Sequence, residues 1–259
     1  MENTIRLSLG AHPKTLLLPT PGVDGVVVKA NHVHKVYDQG KLKVTALDDV
    51  SLEVRAGEML VVMGPSGCGK TTLLNCLSGL DELSSGEVLV RDRNLHHMKD
   101  DERTTFRARS MGFIFQSFNL LPVLTAVENV ELPLLVSGHT IRAAREAAEA
   151  ALTEVGLEHR LHHKPKELSG GEQQRTAIAR SIVNEPDLIW ADEPTGNLDS
   201  NTSKEIVELL KRLNRERHQT QVIVTHSEEV AKECDRLVRM RNGRIESVQA
   251  VRLLRGRRG

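Results

Sequence analysis

Residues able to do chemistry cluster first at Gly64-Pro65-Ser66-Gly67-Cys68-Gly69-Lys70-Thr71-Thr72. The spacing G-x-x-x-x-G-K-[ST] is complete. In such a turn glycines let the backbone aim its N–H groups inward, and the following helix start adds partial positive charge. Lys70 can reach β- and γ-phosphates, and the Thr71 hydroxyl can ligate Mg²⁺. A bound triphosphate is the chemistry these residue types serve. Cys68, beside Lys70 and a helix start, reads as a thiolate-prone, readily alkylated thiol.

Two further groups carry charge or anion-binding potential. Asp192 and Glu193 end the apolar run Asp187-Leu-Ile-Trp-Ala-Asp192. Asp192 suits Mg²⁺, through water, and Glu193 suits a base orienting a water against a γ-phosphate. Leu168-Ser169-Gly170-Gly171-Glu172 opens a helix, about a hundred residues after Lys70. It is either an ordinary N-cap with a glycine pair or a second anion-binding helix start. Gln116 and His226 each follow an apolar strand, where open α/β sheets bind ligands. A solvated loop amide and a capping imidazole are their plain alternatives. Tyr37 is the only tyrosine. Its strand position favours packing, with base stacking as the other use.

The elements that must position these groups follow from periodicity. Met59–Met63 is an apolar run before the glycine turn, and Thr72–Ser78 begins a helix. Val26–Tyr37 and Val44–Val54 alternate apolar and polar residues, as an antiparallel β layer does. Glu87–Val90, Met111–Phe115 and Gln221–Thr225 read as further strands. Helices are expected over 100–110, 125–136, 141–155, 169–183 and 201–216, with a short one near Leu161 ending at Pro165. Residues 117–166 therefore read as an all-helical insertion in an α/β core of mainly parallel sheet. The expected organisation is an extension over 1–25, a triphosphate-binding domain over 26–249 and a basic tail over 250–259 carrying Arg252, Arg255, Arg257 and Arg258. That tail reads as solvated.

Composition narrows the class. The 259 residues hold 35 Lys+Arg and 35 Asp+Glu, for zero formal charge, and only 2% aromatics. Neither a basic footprint nor a stacking platform for nucleic acid is evident. No apolar run reaches bilayer-spanning length. The Leu16-Leu17-Leu18 run is too short for a signal-peptide core. Three cysteines, Cys68, Cys76 and Cys234, lack C-x-x-C pairing, which reads as a reducing compartment without zinc.

In their order, the phosphate loop, Gln116, Leu-Ser-Gly-Gly-Glu at 168–172, Leu-Ile-Trp-Ala-Asp-Glu at 188–193 and His226 resemble the ATP-binding cassette family over about 26–249. The resemblance implies an ATPase with ATP and Mg²⁺. Tyr37 would stack on adenine, and Lys70 and Thr71 would belong to Walker A. Gln116 would touch Mg²⁺ or the attacking water. Asp192 would be the Walker B carboxylate, Glu193 the catalytic one, 197–199 with Asp199 the D-loop, and His226 the switch histidine. Ser169-Gly170-Gly171 would complete a partner's site in a homodimer. Gly196-Asn-Leu-Asp199, Gln116-Ser-Phe-Asn-Leu-Leu-Pro122 and Glu128-Asn-Val130 resemble the macrolide-export and lipoprotein-release group. The expected partner is an integral membrane permease, at the cytoplasmic face of the cell membrane, with no nucleic acid. A soluble cassette ATPase working on nucleic acid or ribosomes is the alternative class. A single cassette without heptads or zinc ligands argues against it.

Overall fold

The computed structural model describes residues 25–38, 40 and 43–251. Residues 1–24 of the expected extension and residues 252–259 of the expected basic tail lie outside these. Strands β1 (Val26–Asp38) and β2 (Lys43–Arg55) pair antiparallel, and β1 also pairs with β4 (Ser85–Val90), which carries the two-residue β5 (Arg93–Asn94). This four-stranded layer runs β2-β1-β4-β5.

The second sheet has six strands in the order β10-β9-β3-β8-β7-β6. They are β3 (Met59–Met63), β6 (Met111–Phe115), β7 (Leu188–Asp192), β8 (Thr220–Thr225), β9 (Arg236–Arg241) and β10 (Arg244–Ala250). All neighbours are parallel except β10 on β9. Strand β3 is wholly apolar and buried, β7 is apolar up to its closing Asp192, and β8 is buried along its whole length, because both faces of the sheet centre are covered, as parallel sheets require. Leu60, Val62, Trp190, Val222 and Val224 join the core beneath the antiparallel layer and α1 (Lys70–Ser78). Val61, Ile189 and Ile223 join the opposite core, with Val130, Leu152, Ile178 and Ile206 of the helices that cover it. Period-two alternation thus splits each strand between two cores, each buried Leu, Ile or Val contributing about 1.5–3 kcal/mol.

Around this sheet lie α2 (Asp100–Ser110), α3 (Ala126–Val136), α4 (Ile141–Glu154), α5 (Gly170–Ile182), α6 (Ser200–Arg217) and α7 (Glu228–Glu233). Thr125 and Glu128 form a reciprocal capping box at α3, and Asp199 caps α6 through the N–H groups of Asn201 and Thr202. The alanine stripe Ala144, Ala148 and Ala151 lets α4 pack closely within the helical core.

The helix expected near Leu161 is absent. Gly156, at φ 80°, ends the preceding helix, and the carbonyls of Leu161 and His163 accept from the N–H groups of Val127 and Ala126 instead. The segment caps a neighbouring helix rather than forming its own, and a 3₁₀ turn over Pro165–Glu167 follows. The helical layer over 117–166 also has no separate core. Its Val127, Val130 and Leu152 belong to the same cluster as Val61 and Ile223.

Candidate functional site at the carboxyl edge of the sheet

Strand register brings the candidate residues to one edge. Met63 pairs with Thr225, Val224 with Asp192, and Asp192 with Phe115. The next residues along the chain, Gly64, His226, Glu193 and Gln116, therefore emerge side by side.

The phosphate loop is shaped by close backbone approach. Gly69 sits at φ 102°, and a Cβ there would lie 2.4 Å from the Ala46 carbonyl oxygen. A Cβ at Gly64 would lie 2.3 Å from the Met240 carbonyl oxygen and 2.6 Å from Cys68 Sγ. Neither position admits a side chain. Pro65, Ser66 and Gly67 form an exposed lip, while Cys68 is 6% exposed and packs in the core beneath it. The expectation of a readily alkylated Cys68 is therefore corrected, because burial withholds the sulfur from solvent. Lys70 Nζ donates to the carbonyls of Gly64 (2.8 Å) and Pro65 (3.1 Å), holding the ammonium across the loop mouth. Gly69 contributes no side-chain cap, so the first N–H groups of α1 keep capacity for an anion.

Thr71 Oγ1 donates to Asp192 Oδ1 at 3.0 Å. Burial pushes the Asp192 carboxyl above its usual range, and the Glu193 charge adds to this against the opposing Thr71 bond and Lys70 charge. A buried, disfavoured carboxylate beside a hydroxyl is a hard-oxygen pair suited to Mg²⁺, which keeps waters and phosphate oxygens as its remaining ligands. Among the described residues there is no all-protein cage of three or more His, Cys, Asp or Glu. An ion held by one carboxylate, one hydroxyl and phosphate needs none.

Glu193 adopts φ 46°, a left-handed backbone that β-carbon residues avoid and that functional sites retain. Its Oε2 accepts from Thr225 Oγ1 (3.0 Å) and the His226 N–H (3.3 Å), with His226 Nδ1 at 3.0 Å. The carboxylate is thereby aimed along the edge with its other oxygen available. Thr225 is a member of the site that sequence reasoning missed. Its only signal was a hydroxyl closing an apolar strand.

Gln116 and Asn197 exchange two hydrogen bonds. Gln116 Nε2 donates to Asn197 Oδ1 (3.2 Å), and Asn197 Nδ2 donates to the Gln116 carbonyl (3.0 Å). A Cβ at Gly196 would meet Gln116 Nε2 at 2.8 Å, so that glycine leaves room for the amide. From α5, Arg180 donates to the carbonyl of Phe118 at 2.8 Å and also to that of Asn119, fixing the loop after Gln116.

Ser169-Gly170-Gly171 lies elsewhere. Ser169 Oγ accepts from the Glu172 N–H (3.3 Å), and Glu172 Oε2 accepts from the Ser169 N–H (2.8 Å). Glu172 also takes Arg160 Nε at 2.8 Å. Gly170 and Gly171 pack toward Leu198 and Thr202. Among the described residues, no hydrogen bond or ion pair joins 169–171 to the phosphate loop. Asp199 is occupied capping α6 and accepting from Thr202 Oγ1. Tyr37, 38% exposed, donates its phenol hydrogen to Asp81 Oδ2 at 2.7 Å.

Comparison with known proteins matches this arrangement to a class. The ABC transporter family profile covers residues 47–196. The ABC transporter ATP-binding protein YbbA of Escherichia coli K12 is 47% identical over 220 residues, 85% of this chain and 96% of the relative. The lipoprotein-releasing system ATP-binding protein LolD of Xanthomonas campestris pv. campestris (strain 8004) is 44% identical over 222 residues, 86% of this chain and 93% of the relative. The dimeric post-hydrolysis structure of the ATP-binding cassette MJ0796, bound to ADP and Pi, superposes with a TM-score of 0.82 at 42% identity, covering 88% of this chain and all of that one. This chain belongs to the ABC transporter family. It is an ATP-binding, ATP-hydrolysing transporter subunit with the mixed α/β cassette fold.

Proposed function

We propose that ATP lies in the loop over Gly64–Thr72 with its base on Tyr37, and that two copies of the chain close around two ATP molecules. Lys70 offsets phosphate charge, and the loop N–H groups orient the chain of phosphates. Thr71, Asp192 and Gln116 would hold Mg²⁺, which neutralises charge on the phosphate oxygens when bound. Glu193 accepts the proton of the attacking water, with Thr225 and His226 fixing its carboxylate. His226, largely exposed, faces the γ-phosphate. The convergence of Gly64, Gln116, Glu193 and His226 at adjacent strand ends carries this reading.

Ser169-Gly170-Gly171 of each copy completes the other's site, and Asp199 lies at the same interface. The dimeric MJ0796 cassettes support that arrangement. The ATPase then drives an integral membrane permease of export or lipoprotein-release type, at the inner face of the cell membrane, with no nucleic-acid partner. The kinship with LolD supports the type. Among the described residues, no helix is long and apolar enough to cross a membrane. A groove of about 350 Å³ along edge strand β6, lined by Phe113, Phe115, Pro133, Arg107 and Arg180 among others, offers the permease apolar surface flanked by two cations.

The test is Glu193→Gln. The amide keeps the shape but takes no proton, so turnover falls about 10²–10⁴-fold while ATP still binds. Size exclusion with ATP then shows a stable dimer. A monomer that hydrolyses ATP at the normal rate would overturn both the base and the dimer.

A further inference from the structure

The ring assigned to the base is held from two sides. Lys35 and Tyr37 lie two residues apart on β1, hence on one face. Lys35 Nζ stands 4.7 Å from the Tyr37 ring centre, within cation–π range. The same ammonium donates to Asp81 Oδ1 (2.6 Å) and to the Glu82 carbonyl (2.7 Å). Asp81 Oδ2 takes the phenol hydrogen of Tyr37 at 2.7 Å. The Lys35 side chain is only 11% exposed. A lysine so enclosed, facing an aromatic ring that remains accessible, is spent on that ring and its anchor.

Asp81 is in turn fixed to the phosphate loop's own helix. Gly79 caps α1, and the N–H groups of Leu80 (2.9 Å) and Asp81 (3.1 Å) donate to the Asn75 carbonyl in its last turns. The start of α1 shapes the phosphate site, and its end carries the carboxylate that orients the ring. One short rigid helix sets the spacing between the two.

We propose that Lys35 and Asp81 are positioning residues that hold Tyr37 at the base-stacking distance from the phosphate loop. This rests on the reading of Tyr37 as the base platform. The cation draws on one face of the ring, Asp81 fixes its in-plane orientation, and the free face receives the purine.

The experiment compares binding of ATP with binding of inorganic tripolyphosphate, which has the phosphates but no base, by calorimetry on the full chain. Lys35→Met and Asp81→Asn should weaken ATP about three- to tenfold and leave tripolyphosphate unchanged. KM for ATP should rise while kcat holds. The double variant Lys35→Met/Tyr37→Ala should bind ATP no more weakly than Tyr37→Ala alone, because the effects share one path. Lys35→Arg should restore most of the loss. Equal weakening of both ligands would mean a structural role and overturn the proposal. Unchanged ATP affinity in Lys35→Met and Asp81→Asn, with a loss in Tyr37→Ala, would overturn it and leave the base platform standing. No loss in Tyr37→Ala would remove the platform and the proposal together. Should Lys35→Met fail to fold, Asp81→Asn carries the same comparison.

Discussion

The starts of α1 and α5 are both glycine-rich and both are proposed to meet phosphate, yet they are built in opposite ways. At α1 the cap residue is Gly69, without a side chain, and the first N–H groups are left for a ligand. At α5 the Ser169–Glu172 box closes on itself, with Arg160 behind it. The neighbouring carboxylates follow suit. Asp192 is held above its usual range by burial and the adjacent Glu193 charge. Glu172 is held below its own, first by the Ser169 backbone N–H, with Arg160 and the Ser169 hydroxyl adding to this against the opposing effect of burial. One helix start waits for charge, and the other is a settled surface that can be presented to a second molecule. On the proposed arrangement, a site that must take up nucleotide stores unfavourable charge, whereas a helix start presented to a partner can be stable alone.

The largest effect that would test this contrast is at Lys70. Lys70→Ala should lower ATP turnover by about 10²–10³-fold or more, since the ammonium acts where water is scarce. Near-normal ATPase rates in the purified variant would break the assignment of the open helix start. Next is complementation. Lys70→Ala and Ser169→Arg are each expected to be inactive alone. Mixed, random pairing restores one intact composite site in half of the dimers, about a quarter of wild-type activity if sites act independently. Proven mixed dimers without recovery would favour strictly coupled sites, and activity in the Ser169→Arg homodimer would break the shared site.

Smaller effects concern stability, and their signs should differ. Asp192 has a raised folded pKa, so its ionisation costs stability once pH exceeds that value. Asp192→Asn should therefore melt higher than wild type at pH 7, with the gain fading as pH falls through the raised pKa toward the ordinary 3.8. Glu172 has a lowered folded pKa, so its contribution is complete above the ordinary 4.5 and is lost as pH falls through the folded value. Glu172→Gln should melt slightly lower than wild type at pH 7, by about 1 kcal/mol or less for a cap of this kind, and match it in acid. Thermal melts across pH 3–7 on both variants read the two slopes. Like-signed slopes would erase the contrast.

The strand–turn–helix at 59–78 and the carboxylates at 192–193 were legible because their chemistry is local in sequence. The type and order of most elements followed from period two or period 3.6. What escaped was set by distant partners. The segment near Leu161 has helical composition, but its carbonyls serve α3. Thr225, Asn197 as partner of Gln116, and the Lys35–Asp81 pair depend on residues 32 to 81 positions away. The β9–β10 hairpin was readable and missed. Asn242-Gly243, at φ 48° and 75°, is the two-residue signal that a tight hairpin turn demands.

That hairpin has a consequence for the order in which the molecule is made. Gly243 N–H donates to the Cys68 carbonyl, Asp48 N–H donates to the Gly243 carbonyl, and the Met240 carbonyl crowds Gly64. The nucleotide loop is thus translated early but braced by residues beyond 196, where the family match ends. At about 5–20 residues per second, residues 73–244 take roughly 10–30 s to synthesise. Through that interval a nascent chain carries the whole glycine-rich motif without the backbone contacts that the hairpin supplies.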